Sequence, residues 1–253
     1  MARRDDPFRK PGIPIVAIDG KTSRATRGND TGNGAVKPIH TLHAVSSDYG
    51  FCIGEVAVPE KSNEITATPD ILEIIDVEGC VVTWDALNTQ KSNVEKVIDK
   101  KGDYVVALKA NHPCLSGEVK EYFDDEVLLE YFDDEVLLKD NPLVSSHVTT
   151  DKEHNAIIKR EYILSAETDW IYEKSEWKNL KAIGVVKKTI SPLNGKAPTM
   201  ERRYYMSSVT DMNYSPEASG DIGRWKASTG ASMSRFAMIT IKRGIKTVRG
   251  ILT

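Results

Sequence analysis

The stretch PIVAIDGKT, from Pro14 to Thr22, places an acidic residue at the end of an otherwise apolar run. A short apolar run of this kind is typical of a buried strand, and the acid that closes it emerges where the strand leaves the sheet. The same pattern returns further along the chain in CVVTWD, which closes with Asp85. The two runs predict two buried strands that each deliver one carboxylate, Asp19 or Asp85, to the edge of a sheet.

Composition bounds the class of protein. The chain has 253 residues, of which 40% are hydrophobic and 28% are charged, and this balance is typical of a soluble globular protein rather than a disordered one. Its longest apolar runs, such as GCVVTW and DYVVAL, are strand-sized and far shorter than the roughly twenty residues that span a bilayer. No apolar segment follows the charges of the N-terminus. We therefore expect a cytoplasmic protein without a membrane partner.

Charge and cysteine content narrow the class further. The net charge of −3 disfavours a protein wholly devoted to nucleic acid, but no acidic residue follows Asp221, so the C-terminal segment is basic. The odd, scattered set of cysteines contains no Cys-x-x-Cys pair that would suggest a zinc site. We expect Cys52, Cys80 and Cys114 to be buried free thiols.

The first half of the chain predicts an α/β sheet with mixed pairing. PIVAID, PIHTLHAVSS and FCIGEVAV read as three strands of an antiparallel meander, with a hairpin turn at DYG. A crossover helix follows over TPDILEIIDVEG, with Thr68 as its cap and Pro69 in its first turn, or with an earlier start near Asn63. The strand CVVTWD, a helix from Thr89 and the strand DYVVALK come next, and such alternation builds parallel pairs.

The second half predicts one long helix and then more strands. From Leu115 a helix is expected to contain the nonapeptide EYFDDEVLL twice, at Glu121–Leu129 and Glu130–Leu138. Nine residues make about two and a half helical turns, so the copies face opposite sides and only one has a place in the core. The runs KREYILS, KAIGVVKKTI and RRYYMSS predict an inserted β-rich region before a final helix near SPEASGDIGRWKAS.

Asp19 and Asp85 are the first candidates for chemistry. If the crossover helix makes their strands parallel neighbours, the two carboxylates emerge side by side, and adjacent acids repel unless a cation lies between them. A hard divalent metal such as Mg²⁺ would satisfy them. The alternative is that each aspartate caps a turn.

Other polar clusters point less clearly to a site. His40 and His43 are three residues apart on a predicted strand, so they lie on opposite faces and joint metal ligation is disfavoured. The acids of the duplicated segment, Asp124–Glu126 and Asp133–Glu135, read as a solvated helix face.

Several motifs together resemble one family. IVAIDGKTSR, PEKSNEITATPDILEIIDVEG, VVTWDALNTQK and GDYVVALKANH are followed in order by HNAIIKREYILS, WKNLKAIGVVK and RRYYMSS. This series is similar to the insertion-sequence transposases of the DDE superfamily, in the branch that includes the H-repeat-associated proteins of Rhs elements. The resemblance covers about Ile13 to Trp225. It implies an RNase H-like catalytic domain in which Asp19 is the first catalytic acid and Asp85 the second.

The resemblance also implies a reaction and its partners. The family transfers phosphoryl groups on DNA with Mg²⁺, or Mn²⁺, held by its acids, which activates a water or a 3′-hydroxyl group. DNA would be the partner, both as element ends and as target, with a homo-oligomer assembled on it. Glu64 lies in a family motif without an assigned role. Four cations are candidates for contacts with DNA phosphates, with a solvated surface charge as the alternative for each: Lys21, Arg24, Lys61 and Lys109.

The chain departs from the family after Trp225. The third acid of the family lies in a W-x-I-E-N motif, followed by L-H-W-x-L-D-V-x-F, whereas this chain reads RWKASTGASMSRFAMITIKRG and has no glutamate after Trp225. The codons for Ala227 to Phe236, read from the third base of the first codon, can spell Leu-His-Trp-Cys-Ile-Asp-Val-Ser-Phe. A short out-of-frame deletion after Lys226 would explain the difference. We therefore expect a transposase copy that lacks its third catalytic acid.

The predicted organisation has four parts. These are an N-terminal tail (1–12), an RNase H-like core (13–140), an inserted β-rich region (141–210), and a final helix with an aberrant basic tail (211–253). The predicted function is Mg²⁺-dependent cleavage and transfer of DNA strands, inactive if the missing acid is essential. A non-catalytic fragment that binds DNA or interferes with an intact transposase is the alternative, and a host RNase H-like nuclease is less favoured.

Overall fold

The computed structural model describes residues 14–23, 39–47, 49–59, 64–125, 141–153 and 155–210. These residues form nine strands, three α-helices and two short 3₁₀ helices. In chain order the elements are β1 (Ile15–Ser23), β2 (Ile39–Ser46), β3 (Phe51–Ala57), α1 (Glu64–Ile74), β4 (Val81–Trp84), a 3₁₀ helix (Ala86–Asn88), α2 (Lys91–Asp99), β5 (Asp103–Leu108), α3 (Pro113–Asp124), β6 (Val144–Glu153), β7 (Ala156–Ser165), a second 3₁₀ helix (Lys174–Glu176), β8 (Ala182–Pro192) and β9 (Thr199–Ser207).

All nine strands belong to one sheet, in the order β3-β2-β1-β4-β5-β9-β8-β7-β6. The pairs β1–β2 and β2–β3 are antiparallel, whereas β1–β4 and β4–β5 are parallel. The remaining pairs are antiparallel, beginning with β5–β9. This topology confirms the predicted mixed α/β sheet. The β-rich region from residue 141 onwards extends that same sheet, and the boundary at residue 140 stays a prediction.

The main core lies on one face of the sheet. Alternate residues of the strands, such as Ile18, Leu42 and Val82, point to this face and are buried there, because successive side chains of a strand point to opposite faces. All three α-helices pack against it, through residues that include Leu72, Val97 and Phe123. The opposite face carries a smaller apolar cluster of Val81, Val105, Tyr162, Val186, Tyr205 and Val209.

The helix α1 begins earlier than its proline suggested. It starts at Glu64, so Thr68 is not its cap but an interior residue, and the Thr68 hydroxyl donates a hydrogen bond of 2.8 Å to the carbonyl oxygen of Glu64. Pro69 therefore lies inside the helix rather than in its first turn. The prediction of Thr68 as the cap was wrong, and the alternative start near Asn63 is the one observed.

The helix α3 ends within the first copy of the duplicated nonapeptide. It stops at Asp124, and Asp125 has an extended backbone with ψ of 128°. The prediction that one helix continues through both copies is thus wrong at this point. The physical reason is a tertiary contact, since the Asp124 carboxylate accepts hydrogen bonds from Arg202 and from the Tyr204 hydroxyl of β9. Phe123 is fully buried in the core, and the second copy lies outside the described residues.

The cysteines differ from the prediction in burial. All three are free thiols, but Cys52 and Cys114 are exposed and only Cys80 is partly covered. Cys52 is exposed because it lies on β3, an edge strand of the sheet in which no residue is fully buried. Among the helices of the described residues, none is long and apolar enough to cross a membrane. The predicted tails, residues 1–12 and 211–253, lie outside the described part of the chain.

Candidate functional site

Parallel pairing of β1 and β4 brings the two predicted aspartates together. In the register of these strands Ile18 lies beside Trp84, so Asp19 and Asp85 are the next residues on each side. Asp85 keeps an extended backbone, with φ of −72° and ψ of 155°, so the alternation of side chains continues through it. Both aspartates therefore lie at the same edge of the sheet, on the face opposite the three α-helices. This is the geometry that the two apolar runs predicted.

Asp19 is a partly buried carboxyl group with a strongly shifted pKa. Burial is the largest cause, followed by the negative charge of Glu64, and the charge of Asp85 adds to them; together they raise the pKa of Asp19 from 3.8 to about 6. A hydrogen bond from the backbone N–H of Gly20 and the charge of His40 act in the opposite direction. Among the described residues no lysine or arginine forms an ion pair with Asp19. Within the described part of the chain, the Asp19 carboxylate thus lies near two other acids and only weakly opposing groups.

Asp85 is exposed and plays a second, local role. Its Oδ1 accepts a hydrogen bond of 2.7 Å from the backbone N–H of Ala86, which caps the 3₁₀ helix that follows. The same oxygen lies 3.2 Å from Nζ of Lys109. The turn-capping alternative is therefore correct for Asp85, and it does not exclude the metal interpretation, because no described residue donates a hydrogen bond to Oδ2.

A third carboxylate, that of Glu64 at the start of α1, lies close enough to Asp19 to raise its pKa. Its Oε1 accepts a hydrogen bond of 2.9 Å from Nε2 of His40, and its Oε2 accepts one of 3.2 Å from Nδ2 of Asn88. The group also lies directly against Gly20, where a Cβ atom would stand 1.9 Å from Oε1. The sequence motif around Glu64 indicates no role for this residue, because the contact with Gly20 depends on how α1 packs on the sheet.

The two histidines of β2 make separate contacts. His40 bonds to Glu64 on one side and lies 2.9 Å from the Thr22 hydroxyl on the other. His43 instead lies 2.7 Å from the Thr41 hydroxyl and 3.8 Å from a carboxylate oxygen of Glu55. The histidines do not converge on one site, in agreement with their predicted positions on opposite faces.

The cations near the acids include one that the sequence did not reveal. Lys21 is exposed on β1 two residues after Asp19, and Lys109 pairs with Asp85. Arg203 of β9 is exposed, and its pKa is raised mainly by a hydrogen bond to Glu201 and in part by the charge of Asp85. The sequence alone does not reveal Arg203, because only the antiparallel pairing of β9 with β5 brings it near Asp85. The other two predicted DNA contacts, Arg24 and Lys61, lie outside the described residues.

The carboxylate oxygens of Asp19 and Asp85 are donors that fit a hard divalent ion. Carboxylate oxygens are the ligands that Mg²⁺ prefers. The raised pKa of Asp19 comes first from burial and then from the charges of Glu64 and Asp85, and a bound cation would offset both effects. Within the described residues no group of three or more His, Cys, Asp or Glu side chains is arranged to hold a metal ion. Among the described residues, Asp19 and Asp85 are thus two oxygen donors that would suit such an ion without forming a closed set of ligands.

The chain matches a known protein family and several curated relatives. Residues 10–224 match a family model described as a transposase DDE domain. An uncharacterised protein in the dhlA 3′ region of Xanthobacter autotrophicus is 31% identical over 195 residues, which cover 77% of this chain and 60% of that protein. An H repeat-associated protein of Escherichia coli K12, YhhI, whose name assigns it provisionally to the transposases, is 33% identical over 198 residues.

The relatives are longer than this chain. The match to YhhI covers 77% of this chain and 49% of YhhI. A further relative from Escherichia coli O157:H7, YncI, also carries a provisional transposase name and is 34% identical over 196 residues, which cover 77% of this chain and 47% of YncI. The chain thus spans about half the length of the two Escherichia coli relatives. A solved piggyBac transposase synaptic complex with hairpin DNA covers 87% of this chain and 38% of its own, at 11% identity and a TM-score of 0.34, which is too low to support an inference.

Proposed function

Because the chain belongs to the transposase DDE domain family and has the mixed sheet of an RNase H-like fold, we propose that it is the transposase of an insertion sequence. In this proposal it cleaves and transfers DNA strands with Mg²⁺ or Mn²⁺, and Asp19 and Asp85 are catalytic metal ligands. One observation carries the proposal: the parallel pairing of β1 and β4 delivers both acids to the same edge and face of the sheet.

The protein side of the reaction follows from the charges at this edge. A divalent ion would activate a water or a 3′-hydroxyl group and stabilise the leaving oxygen. Asp19 and Asp85 would hold the ion, and Asp19 is mostly ionised at neutral pH because its pKa is about 6. Below that pH a proton competes with the metal, so binding weakens as the solution becomes more acidic.

Cations around the acids would hold the DNA backbone. Lys21 and Arg203 are exposed near Asp19 and Asp85, and Lys109 becomes available when its partner Asp85 binds a metal. Contacts between lysine or arginine and phosphates dominate DNA affinity and make it fall steeply with salt. Arg24 and Lys61 belong to the same proposal on sequence grounds. The protein would act in the cytoplasm, bound to element ends and target DNA as a homo-oligomer.

A second candidate is a non-catalytic protein that binds DNA or interferes with an intact transposase. The observation that favours it is the absence of the W-x-I-E-N motif, since no acid follows Trp225 and the family match ends at residue 224. A third carboxylate normally completes the metal site and fixes the geometry of the transition state. The nucleotide sequence after the Trp225 codon tests this origin: a second frame that encodes the missing motif supports the proposed deletion, and its absence refutes it.

The purified chain decides between the two candidates in one set of assays. Mn²⁺ binding is measured by calorimetry, DNA binding by gel shift on duplexes from the genomic segment that flanks the gene, and nicking on a supercoiled plasmid that carries that segment. Asp19→Asn is compared with Asp169→Asn, a matched change at a fully exposed aspartate. Nicking that only Asp19→Asn abolishes supports the transposase. DNA binding without nicking supports the second candidate, and a wild-type chain that binds neither Mn²⁺ nor DNA contradicts both.

A further inference from the structure

Glu64 contacts the chain segments that follow both aspartates, Gly20 after Asp19 and the 3₁₀ helix after Asp85. It begins α1, and its two carboxylate oxygens bond to different elements, Oε1 to His40 of β2 and Oε2 to Asn88 of the 3₁₀ helix. The same carboxylate lies against Gly20, the residue that follows Asp19. One side chain therefore contacts β1, β2 and the 3₁₀ helix at once.

The link from Glu64 to Asp85 passes through a buried asparagine. Asn88 is 1% exposed, and its backbone N–H donates a hydrogen bond of 2.9 Å to the carbonyl oxygen of Asp85. The backbone oxygen of Asn88 in turn accepts a hydrogen bond of 2.9 Å from the side chain of Asn93, which ties the 3₁₀ helix to α2. A side chain that holds Asn88 in place consequently holds the turn that aims the Asp85 carboxylate.

The link from Glu64 to Asp19 is steric. The alternation of β1 points Asp19 to one face and the α-hydrogen of Gly20 to the other, where the Glu64 carboxylate fills the space that a side chain would occupy. His40 is paired with Thr22 across the β1–β2 ladder and is held between that threonine and Glu64, so the end of β1 is fixed on two sides.

We propose that Glu64 is a positioning residue that sets the relative placement of Asp19 and Asp85. It acts through contact and hydrogen bonds rather than as a metal ligand. Its carboxylate lies against Gly20, on the face of the sheet opposite the Asp19 side chain, and each of its oxygens accepts a hydrogen bond from the protein. The effect on metal binding rests on the proposed function, whereas the effect on the strand ends does not. Residues that orient metal ligands typically change metal affinity or activity by about 10–100-fold when they are removed.

Three variants separate positioning from ligation and from general stability. Glu64→Ala removes all of these contacts. Glu64→Gln keeps the size and can keep both hydrogen bonds, because its amide oxygen can accept from Asn88 and its amide nitrogen can donate to a neutral His40. Glu73→Ala is the matched control, a second glutamate of α1 whose side chain is 69% exposed and pairs with Lys96.

The first measurement needs no metal. Backbone amide hydrogen exchange, followed by NMR, reports on Asn88 and Thr89, whose N–H groups donate to Asp85 and Ala86. We expect faster exchange at both amides in Glu64→Ala and wild-type exchange in Glu64→Gln and Glu73→Ala. Unchanged exchange in Glu64→Ala overturns the proposal, even if the chain proves to bind no metal.

The second measurement is Mn²⁺ affinity by calorimetry on the same proteins. We expect affinity to fall about 10–100-fold in Glu64→Ala and to recover in Glu64→Gln, with Glu73→Ala at the wild-type value. Glu64→Gln as weak as Glu64→Ala overturns the proposal in favour of direct ligation or charge. If the wild-type chain binds no Mn²⁺, the proposed function fails. The amide exchange measurement still tests whether Glu64 positions the turn after Asp85.

A double mutant checks the steric half of the proposal. Gly20→Ala would place a Cβ atom 1.9 Å from the Glu64 carboxylate, so it should displace that side chain and speed amide exchange at Asn88. Adding Gly20→Ala to Glu64→Ala should change little further, since the collision is gone, and the two changes should be non-additive. Strictly additive effects would contradict the contact on which the proposal depends.

Discussion

Carboxylates in two regions of the sheet, the antiparallel strands β9 to β6 and the parallel pair β1–β4, have opposite kinds of partners. In the antiparallel region, Asp124 accepts hydrogen bonds from Arg202 and Tyr204, and Asp151 pairs with the buried Arg160. Where β1 and β4 end, Asp19 has no lysine or arginine partner among the described residues. Its burial, first, and the negative charges of Glu64 and Asp85 raise its pKa to about 6. The first arrangement stabilises the fold and the second does not.

The difference separates structural acids from candidate functional ones. A carboxylate bonded to an arginine is held in its charged form, and removing it leaves a charge without a partner. A carboxylate crowded by like charges resists ionisation, and a protein retains such a group where a ligand or metal repays the cost. If the two regions differ in this way, substitutions of their acids should have opposite effects on metal binding and on stability.

The largest expected effect is the loss of metal binding and nicking in Asp19→Asn and Asp85→Asn. Misplacing a reacting group alone can cost about 100-fold, so removal of a ligand should lower nicking by at least about that factor. Asparagine can still cap the turn after Asp85, so that variant tests ligation apart from capping. The measurements are plasmid nicking and Mn²⁺ calorimetry. Nicking by Asp19→Asn at the wild-type rate would contradict the proposal that Asp19 is a functional acid.

Asp124→Ala should show the reverse behaviour. It leaves Arg202 and the Tyr204 hydroxyl without their shared partner, and we expect a loss of about 1–3 kcal/mol in the free energy of unfolding. Urea denaturation measures the loss, and Mn²⁺ affinity should stay at the wild-type value. A drop in Mn²⁺ affinity as large as in Asp19→Asn would mean that the two regions are not independent.

The free energy of unfolding should depend on pH because ionisation of Asp19 destabilises the folded chain. Its pKa is about 6 in the folded chain and 3.8 as an ordinary group, so between these values the folded state holds a proton that the unfolded state has lost. The contribution of Asp19 to the free energy of unfolding is therefore largest below about pH 4, decreases as the pH rises to about 6, and is constant above that pH.

Asp19→Asn lacks that titration and should be more stable than the wild-type chain above pH 6. The melting temperature should rise by a few degrees at pH 7 and by little at pH 4, and Mg²⁺ should narrow the gap at pH 7 by stabilising only the wild-type chain. Melting curves at both pH values, with and without Mg²⁺, provide the test. If the variant is less stable than the wild-type chain at pH 7, the ionised Asp19 carboxylate has stabilising partners and the prediction is wrong.

The smallest effect is expected for Lys109→Ala. The lysine and Asp85 are both largely exposed, with side chains 65% and 56% accessible, and exposed ion pairs contribute about 0–1 kcal/mol. Stability should hardly change, DNA binding at low salt should weaken, and Mn²⁺ affinity should rise slightly because Asp85 loses a competitor. Lys174→Ala, which removes the pair with Asp169, is the control. Equal DNA affinities in the two variants would argue against a phosphate contact at Lys109.

The sequence predicted the centre of the sheet well because local patterns determine it. Apolar runs that close at Asp19 and Asp85, with a helical segment between them, allow only a parallel crossover in practice. The three antiparallel strands and the strands β7, β8 and β9 were likewise visible as alternating or apolar runs. These features depend on residues close together in the chain, which is why they could be predicted.

Long-range contacts set the features that the sequence left open or mispredicted. The end of α3 at Asp124 depends on Arg202 and Tyr204, nearly eighty residues away. The exposure of Cys52 depends on β3 having the last place in the order of strands. The position of Arg203 near Asp85 depends on the pairing of β9 with β5.

By itself, then, the sequence determined the mixed α/β class, the two acids and the family, because hydrophobic period and motif order are properties of neighbouring residues. Tertiary structure alone decided that the Asp19 carboxylate carries a raised pKa and that Glu64 packs against Gly20. The physical reason is that burial, charge crowding and steric contact arise between α1, β1 and β4 only after the chain has folded.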